Sequence, residues 1–172
     1  MVGKFFQKPG AEQSDRVPPG QYLTKGFPVL TYGDTPRVNR EQWQFKVWGL
    51  AQPKTLTWED FMALPQHDFT ADFHCVTRWS KLDVKWTGVK VTDFMQLIEI
   101  DPKAAYVMEH CYGGYTTNIP LEDFLREENF FAHTVFDEPL PAEHGGPMRL
   151  VVPHLYAWKS AKWINGLEFL EQ

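Results

Sequence analysis

Apolar and polar residues alternate most clearly at positions 42–49, where Trp43, Phe45 and Val47 alternate with polar neighbours. This spacing predicts a half-buried strand that ends at Gly49. Similar but weaker patterns predict other extended segments. These segments are 67–75, a strand starting at Tyr106, 115–119, 148–152 and 163–170.

Short helical patterns separate these strands. Thr57 is a predicted N-cap for a helix that carries Trp58 and Phe61, and Thr92 is a predicted N-cap for the next helix. Pro120 suits the first turn of a third helix, 120–126. Short helices among many strands, with 13 Pro and 12 Gly in the chain, predict an α+β fold with mixed or antiparallel sheets and long loops.

The chain has 172 residues, which suits one domain. Residues 1–28 are polar and broken by prolines, so we expect an extended N-terminal arm followed by a single domain at 29–172. No run of 18 apolar residues and no secretory h-region is present. We therefore expect a soluble, cytoplasmic protein without a membrane span, whose two cysteines are reduced.

The formal net charge of −5 argues against a nucleic-acid-binding protein, which needs a basic surface. Residues 144–163 differ from the rest, because they contain Arg149, Lys159, Lys162 and two histidines but no acidic residue. A local basic stretch in an acidic protein is suited to an anionic ligand.

The sequence lacks a phosphate-binding P-loop, a G-x-G-x-x-G fingerprint, an H-E-x-x-H helix and a G-x-S-x-G turn. Cys75 is the first positive candidate, because it lies where a predicted strand becomes a loop and Arg78 is near enough to favour the thiolate. The alternative is a small buried hydrophobic cysteine. His74 alternates with Cys75, so the two side chains are expected on opposite faces of the strand.

Three further segments contain candidate chemistry. In HGGPMRLVVP, Arg149 lies in an apolar strand and needs an anion, either an internal carboxylate or a ligand phosphate. In YAWKSAKW, two lysines and Ser160 suit a phosphate, although a solvated basic loop is the alternative. Around Cys111 and Tyr115, a Gly-Gly turn either faces a pocket or simply joins two strands.

Taken together and in order, the motifs FHCVTRWS, YTTNIPL, HGGPMRLVVP and YAWKSAKW resemble the molybdenum-cofactor domain of the sulfite oxidase superfamily. The closest resemblance is to its short bacterial members, which are molybdopterin-dependent oxidoreductases. The similarity extends from about Pro28 to Gly166, which is nearly the whole predicted domain.

The resemblance implies a role for each matching position. Cys75 matches the cysteine that ligates molybdenum, and a soft thiolate suits such a metal alongside the dithiolene sulfurs of molybdopterin. Tyr115 matches an active-site tyrosine, and Arg78 is the expected cation for the thiolate and an anionic substrate. The positions expected to contact the cofactor are His144, Arg149, Ser160, Ala161, Lys162, Cys111 and, among the contacts from 30–39, Asn39.

The implied reaction is oxygen-atom transfer to or from a small sulfite-like oxyanion or an S- or N-oxide. Electrons are expected to pass to or from a separate electron-transfer protein, because the chain shows no haem domain. The spacing from Cys75 to Arg78 departs from that of a sulfite-binding arginine, which argues against sulfite itself. Two alternatives stay open: a cofactor-binding module without turnover, and a zinc- or thiol-dependent enzyme that uses Cys75 with His74.

Overall fold

The computed structural model of the chain describes residues 6–7 and 15–172. Within them the chain forms two mixed β-sheets and three short α-helices, which confirms the α+β class. The strands are β1 (Phe6–Gln7), β2 (Tyr22–Thr24), β3 (Gln44–Gly49), β4 (Lys54–Thr57), β5 (His67–His74), β6 (Trp79–Lys90), β7 (Tyr106–Cys111), β8 (Thr116–Pro120), β9 (Phe130–Val135), β10 (Glu138–Pro139), β11 (Arg149–Val151) and β12 (Ile164–Leu170). The helices are α1 (Trp58–Met62), α2 (Val91–Met95) and α3 (Leu121–Phe124).

The first sheet is built around the long strand β6. This strand pairs in parallel with β2 and in antiparallel fashion with β5 and β9. Strand β9 then pairs with β10 and β11. A short turn joins β5 to β6, and residue 75 lies in this turn, just past the end of β5.

The second sheet has the order β4-β3-β12-β7-β8, with β12 parallel to β3 and antiparallel to β7. Its strand β3 is the predicted strand, with Phe45 and Val47 buried and the intervening residues exposed. Gly49 ends it with a φ of +81°, and a Cβ there would lie 2.3 Å from the Phe169 carbonyl oxygen. Glycine is therefore required at this position.

Two apolar clusters hold the sheets in place. The larger one packs side chains from both sheets and the helices against each other, with Phe45, Phe61 and Phe131 among its fully buried members. The smaller one lies on the first sheet and contains Phe73 and Trp86. Each fully buried large side chain stabilises the fold by about 1.5–3 kcal/mol relative to exposure.

The helix starts were predicted with mixed success. Thr57 caps α1 as expected, and its hydroxyl and the Asp60 carboxylate form a reciprocal capping box. The prediction that Thr92 caps the next helix is wrong, because α2 already begins at Val91 and Lys90 occupies the N-cap position. The buried Val91 side chain and the bond from its N–H to the Asn129 carbonyl fix the earlier start.

The predicted N-terminal arm, residues 1–28, falls partly outside the described residues, which do not include 1–5 and 8–14. Strand β1 pairs with β2, and β2 in turn pairs with Trp79 and Ser80 of β6. Val17 and Gln21 are buried, so the described residues 15–28 pack on the first sheet. The boundary between residues 28 and 29 stays a prediction.

Candidate active site

A cavity of about 470 Å³ opens beside the turn that joins β5 to β6, a volume typical of small-molecule sites. Most of the predicted site residues line it, although they come from four separate motifs. They are Cys75, Tyr115, His144, Arg149, Ser160, Ala161 and Lys162.

Cys75 lies one residue beyond β5, and its backbone is held from three sides. Its N–H donates to the Trp79 carbonyl (2.9 Å), and its own carbonyl accepts from the Arg78 N–H (3.0 Å) and from the Gln21 side chain (3.0 Å). The Cys75 side chain lines the cavity at 8% exposure, with its Sγ 3.1 Å from the Thr77 hydroxyl oxygen. The turn therefore presents one thiol to the cavity in a fixed position.

Arg78 was expected to act beside Cys75, but the structure leaves it outside the cavity. It is exposed, and its backbone has a φ of +73°, which closes the turn between Cys75 and Trp79. Thr77, not Arg78, provides the side chain next to the thiol. Closeness in sequence wrongly suggested that the Arg78 side chain lies beside the thiol. The left-handed backbone conformation of Arg78 turns the chain at this residue and directs its side chain elsewhere.

Arg149 forms the inner wall of the cavity and is only 4% exposed. Its guanidinium donates to the carbonyls of His144 and Ser160, both at 2.8 Å, and packs 4.9 Å from the centre of the Phe73 ring. Burial lowers the pKa of Arg149 to about 9, which still leaves it charged at neutral pH. Its hydrogen-bond partners among the described residues are neutral carbonyls, so the positive charge remains available to an anion.

Lys162 provides a second cation on the same wall. Its ammonium group donates to the carbonyls of Leu30 (2.8 Å) and Glu143 (2.9 Å). Burial, reinforced by the charge of Arg149, lowers the pKa of Lys162 to about 8. Like Arg149, it is bonded to main-chain oxygens and keeps its charge at neutral pH.

The backbone at Gly145 makes room for Lys162. Gly145 has a φ of +106°, and a Cβ there would approach the Cβ and Cγ of Lys162 to 2.9 Å. We expect Gly145→Ala to lower the free energy of unfolding by about 1–3 kcal/mol, because the substitution adds both backbone strain and a steric clash. Chemical denaturation measures this loss.

Gly20→Ala is the matched control for this prediction. Gly20 has a φ of +79° with open space around its missing side chain, so only backbone strain is added. If Gly145→Ala is no more destabilising than Gly20→Ala, the contact with Lys162 does not constrain the site.

Ser160 and Ala161 form the buried floor between the two cations. The Ser160 hydroxyl accepts from the Val152 N–H (3.0 Å), and the Ala161 carbonyl accepts from the Leu150 N–H (2.9 Å). The loop that follows the 3-10 helix Ala157–Lys159 is thereby fixed to the end of strand β11. A rigid loop with two flanking cations suits an anionic group.

Tyr115 approaches the cavity from the start of β8. Its hydroxyl donates to the Trp158 carbonyl at 3.0 Å. Burial raises the pKa of Tyr115, and the nearby Glu109 and Cys111 act in the same direction. The phenol therefore keeps its proton at neutral pH.

His144 stacks on Phe27, with ring centres 4.3 Å apart and planes 9° from parallel. Burial lowers the pKa of His144, and the charge of Arg149 lowers it further, so the imidazole is neutral at pH 7. Phe27 was not predicted as a site residue, because nothing in a proline-rich polar segment indicates which aromatic side chain packs inward.

Two predicted cofactor contacts lie outside the cavity. Cys111 ends β7 as a buried thiol and lines a different cleft with Trp48 and His110. Asn39 accepts a bond from the Glu41 N–H (2.9 Å) and caps the 3-10 helix Arg40–Gln42, beside another cleft. Of the segment 30–39, the residues that line the cavity are Leu30, Thr31 and Tyr32.

His74 faces away from Cys75, as strand alternation predicted. Its Nδ1 lies 2.8 Å from the Ser80 hydroxyl oxygen, and its side chain lines a cleft with Asp68 and Asp72. Among residues 6–7 and 15–172, no group of three or more His, Cys, Asp or Glu side chains is arranged to hold a metal ion. The alternative of a zinc site shared by Cys75 and His74 therefore has no geometric support.

The cavity residues fit a cofactor that carries both a phosphate and a thiolate-binding metal. Arg149 and Lys162 carry charges that no carboxylate neutralises through a hydrogen bond among the described residues. Cys75 supplies a single soft ligand on the same cavity. A single protein thiol suits a metal that takes its remaining ligands from the cofactor. In molybdopterin, the dithiolene sulfurs are those ligands.

Residues 32–172 match the family model described as the oxidoreductase molybdopterin binding domain. The protein therefore belongs to this family and is a molybdopterin-dependent oxidoreductase. The predicted membership in the sulfite oxidase superfamily and the predicted molybdenum–molybdopterin cofactor are both confirmed. The role of each site residue stays a prediction.

Relatives and a solved structure agree with this membership. The uncharacterized oxidoreductase YuiH of Bacillus subtilis is 45% identical, over 94% of this chain and 83% of its own length. A putative protein-methionine-sulfoxide reductase subunit, YedZ1 of Azospira oryzae, is 33% identical over 87% of this chain and 58% of its own length. Mitochondrial sulfite oxidase of Drosophila melanogaster is 29% identical over 81% of this chain and 29% of its own length.

The sulfane dehydrogenase SoxCD of Paracoccus pantotrophus shares the fold. Its crystal structure matches with a TM-score of 0.72 and 19% sequence identity, over 80% of this chain and 40% of that one. In the part of the chain that the structure describes, every helix is too short to cross a bilayer.

Proposed function

We propose that the protein catalyses oxygen-atom transfer at a molybdenum centre held by Cys75, and that it exchanges electrons with a separate protein. The observation that carries the proposal is the placement of Cys75, Arg149 and Lys162 on one cavity. The thiol and the two cations match the two ends of a molybdopterin. A cytoplasmic location stays a prediction.

When bound, the cofactor supplies the redox centre that exchanges two electrons and an oxygen atom with the substrate. The residues of this chain bind and orient it. Arg149 and Lys162 would neutralise the phosphate, and the Thr77 hydroxyl, whose oxygen lies 3.1 Å from the Cys75 sulfur, would donate to the metal-bound thiolate. Tyr115 keeps its proton at a hydroxyl oxygen beside the cavity, and rotation of that O–H away from the Trp158 carbonyl would let it donate to a substrate oxygen.

The charges of the cavity favour a neutral substrate over a free oxyanion. Arg149 and Lys162, the cations that line the cavity, are both assigned to the cofactor phosphate. Arg78, the nearest further cation in sequence, is exposed and outside the cavity. Among residues 6–7 and 15–172, an anion beside Cys75 would therefore lack a side-chain cation of its own, which is costly in a partly desolvated site.

The rim of the cavity favours a substrate with an apolar substituent. Large apolar side chains stand exposed around the opening, including Tyr32 at 88% and Trp158 at 59%. Clusters of exposed apolar residues typically mark binding surfaces. The substrate class best supported is a neutral S- or N-oxide, or its reduced form, that carries an apolar group, and a similar protein is named as a putative methionine-sulfoxide reductase subunit.

A substrate panel tests this proposal with an artificial electron carrier. We expect kcat/KM for an aryl alkyl sulfoxide to exceed that for sulfite, since sulfite brings charge without a partner. Trp158→Ala is expected to lower kcat/KM for the aryl substrate by about tenfold, which corresponds to the lost burial of one aromatic contact. For dimethyl sulfoxide it is expected to change little.

Tyr156→Ala is the control, because Tyr156 is exposed on the same loop but does not line the cavity. Preference for sulfite, or an equal effect of both variants, would contradict the substrate class. Full occupancy by the cofactor with no turnover of any substrate would favour the alternative of a binding module without catalysis.

A further inference from the structure

Glu109 is a carboxylate in a position where the fold otherwise places apolar side chains. It lies on β7 between the inward-facing Val107 and Cys111 and has 0% exposure. Neither of its carboxylate oxygens has a hydrogen-bond partner among the described residues. An unpartnered buried carboxyl is costly, so its retention calls for an explanation.

The groups near Glu109 include Arg149 and Ala161, which both line the cavity. Arg149 of β11 and Lys159 of the neighbouring 3-10 helix attract its negative charge, and the Ala161 N–H interacts with it too weakly to form a regular hydrogen bond. In addition to burial, the negative charge of Glu109 raises the pKa of Cys111, on the same strand, and of Tyr115, at the start of β8. Across the sheet it is paired with Thr117 and Leu167, which are uncharged.

Glu109 therefore lies behind the wall that presents Arg149 and the loop 160–162 to the cavity. An anion in front of this wall and an ionised Glu109 behind it compete for the same guanidinium. Like charges in a desolvated site repel each other more strongly than in water, so ionisation of Glu109 and binding of the anion are expected to oppose each other.

We propose that Glu109 is a positioning residue that controls the anion subsite through its protonation: the protonated carboxyl leaves Arg149 free to bind an anion, and the ionised carboxylate competes with the anion. The inference rests on the location given above for the cofactor phosphate. The step is a simple equilibrium in which a solvent proton forms an O–H bond on Glu109 as the anion binds, without any change in oxidation state.

The sign of the pH dependence follows from burial. Burial raises the pKa of Glu109 well above 4.5, partly offset by the Ala161 amide and by Lys159 and Arg149. Anion binding is therefore strong at low pH and weakens as the pH rises through this raised pKa. Lys162, with a pKa of about 8, and His144 also face the anion, and they add a pH dependence that is independent of Glu109.

Pyrophosphate binding to the cofactor-free chain, measured by calorimetry over the whole pH range in which the chain stays folded, tests the proposal. Glu109→Gln mimics the protonated state. We expect the variant to bind pyrophosphate more tightly than the wild type at every pH above the raised pKa of Glu109, by about tenfold for each pH unit, which is the effect of one coupled proton. Below that pKa the two are expected to bind with similar affinity.

Glu122→Gln is the matched control, since Glu122 is an exposed carboxylate away from the cavity, and it should follow the wild-type profile. Parallel pH profiles for wild type and Glu109→Gln would overturn the proposal. Absence of any pyrophosphate binding would overturn the anion subsite as well. Molybdenum turnover by the holoenzyme is measured separately, so failure of the proposed reaction is distinguishable from failure of this inference.

A second measurement uses the wild-type protein and does not depend on the folding of a variant. Infrared difference spectra, recorded in the pH range over which the wild-type affinity falls, should show the carbonyl band of a protonated carboxyl appearing when pyrophosphate is added. A spectrum without that band would contradict proton uptake at Glu109.

Discussion

Replacement of Cys75 by serine is expected to abolish turnover while the protein stays folded. Losing a residue that merely supports a metal ligand typically costs about 10–100-fold, so losing the ligand itself should cost more than about 100-fold in kcat. The hydroxyl of serine is far less acidic than a thiol, and its oxygen is a harder ligand than the sulfur of a thiolate. Turnover and molybdenum content per chain measure the loss, and circular dichroism checks the fold.

Cys111→Ala is the matched control for the thiol. Cys111 is also a buried free cysteine, but it lies outside the cavity. We expect this variant to keep its molybdenum. Full activity and metal content in Cys75→Ser would refute the ligand assignment, and loss of metal in Cys111→Ala would restore the cofactor contact predicted from sequence.

Replacement of Arg149 by methionine is expected to empty the cavity of cofactor. The variant removes a buried cation and leaves the carbonyls of His144 and Ser160 without their donor. Breaking such a buried charged contact typically costs about 2–5 kcal/mol, which lowers affinity by at least tenfold. Molybdenum and pterin content of the purified chain measures the result.

Two further variants separate charge from shape. Arg149→Lys keeps the charge but not the two-carbonyl geometry, so an intermediate cofactor content is expected. Arg78→Met removes an exposed arginine outside the cavity and should retain the cofactor. Equal cofactor content in Arg149→Met and the wild type would show that the phosphate binds elsewhere.

The sequence predicted the site better than it predicted the sheet around it. Cys75, Tyr115, Arg149 and Lys162 were identified because their motifs occur in a fixed order, and the structure brings them to one cavity. The central strand β6 was not predicted, although Val84 and Trp86 alternate with polar residues within it. Its length and its three partner strands arise from pairing over long sequence distances, which a local pattern does not contain.

The residues misplaced by sequence reasoning share a physical cause. Arg78 occupies a left-handed turn, Cys111 is buried at the end of β7 near Arg149 without lining the cavity, and Asn39 caps a helix through its own side chain. In each case a backbone feature of one or two residues decides where the side chain lies. Such features require the folded backbone, as does the inward packing of Phe27 against His144.

X-ray absorption at the molybdenum edge of the purified protein tests the central claim most directly. Cys75 as a metal ligand predicts one sulfur neighbour of molybdenum beyond those that the pterin dithiolene supplies. A metal centre whose only sulfur neighbours are those of the dithiolene would contradict the claim.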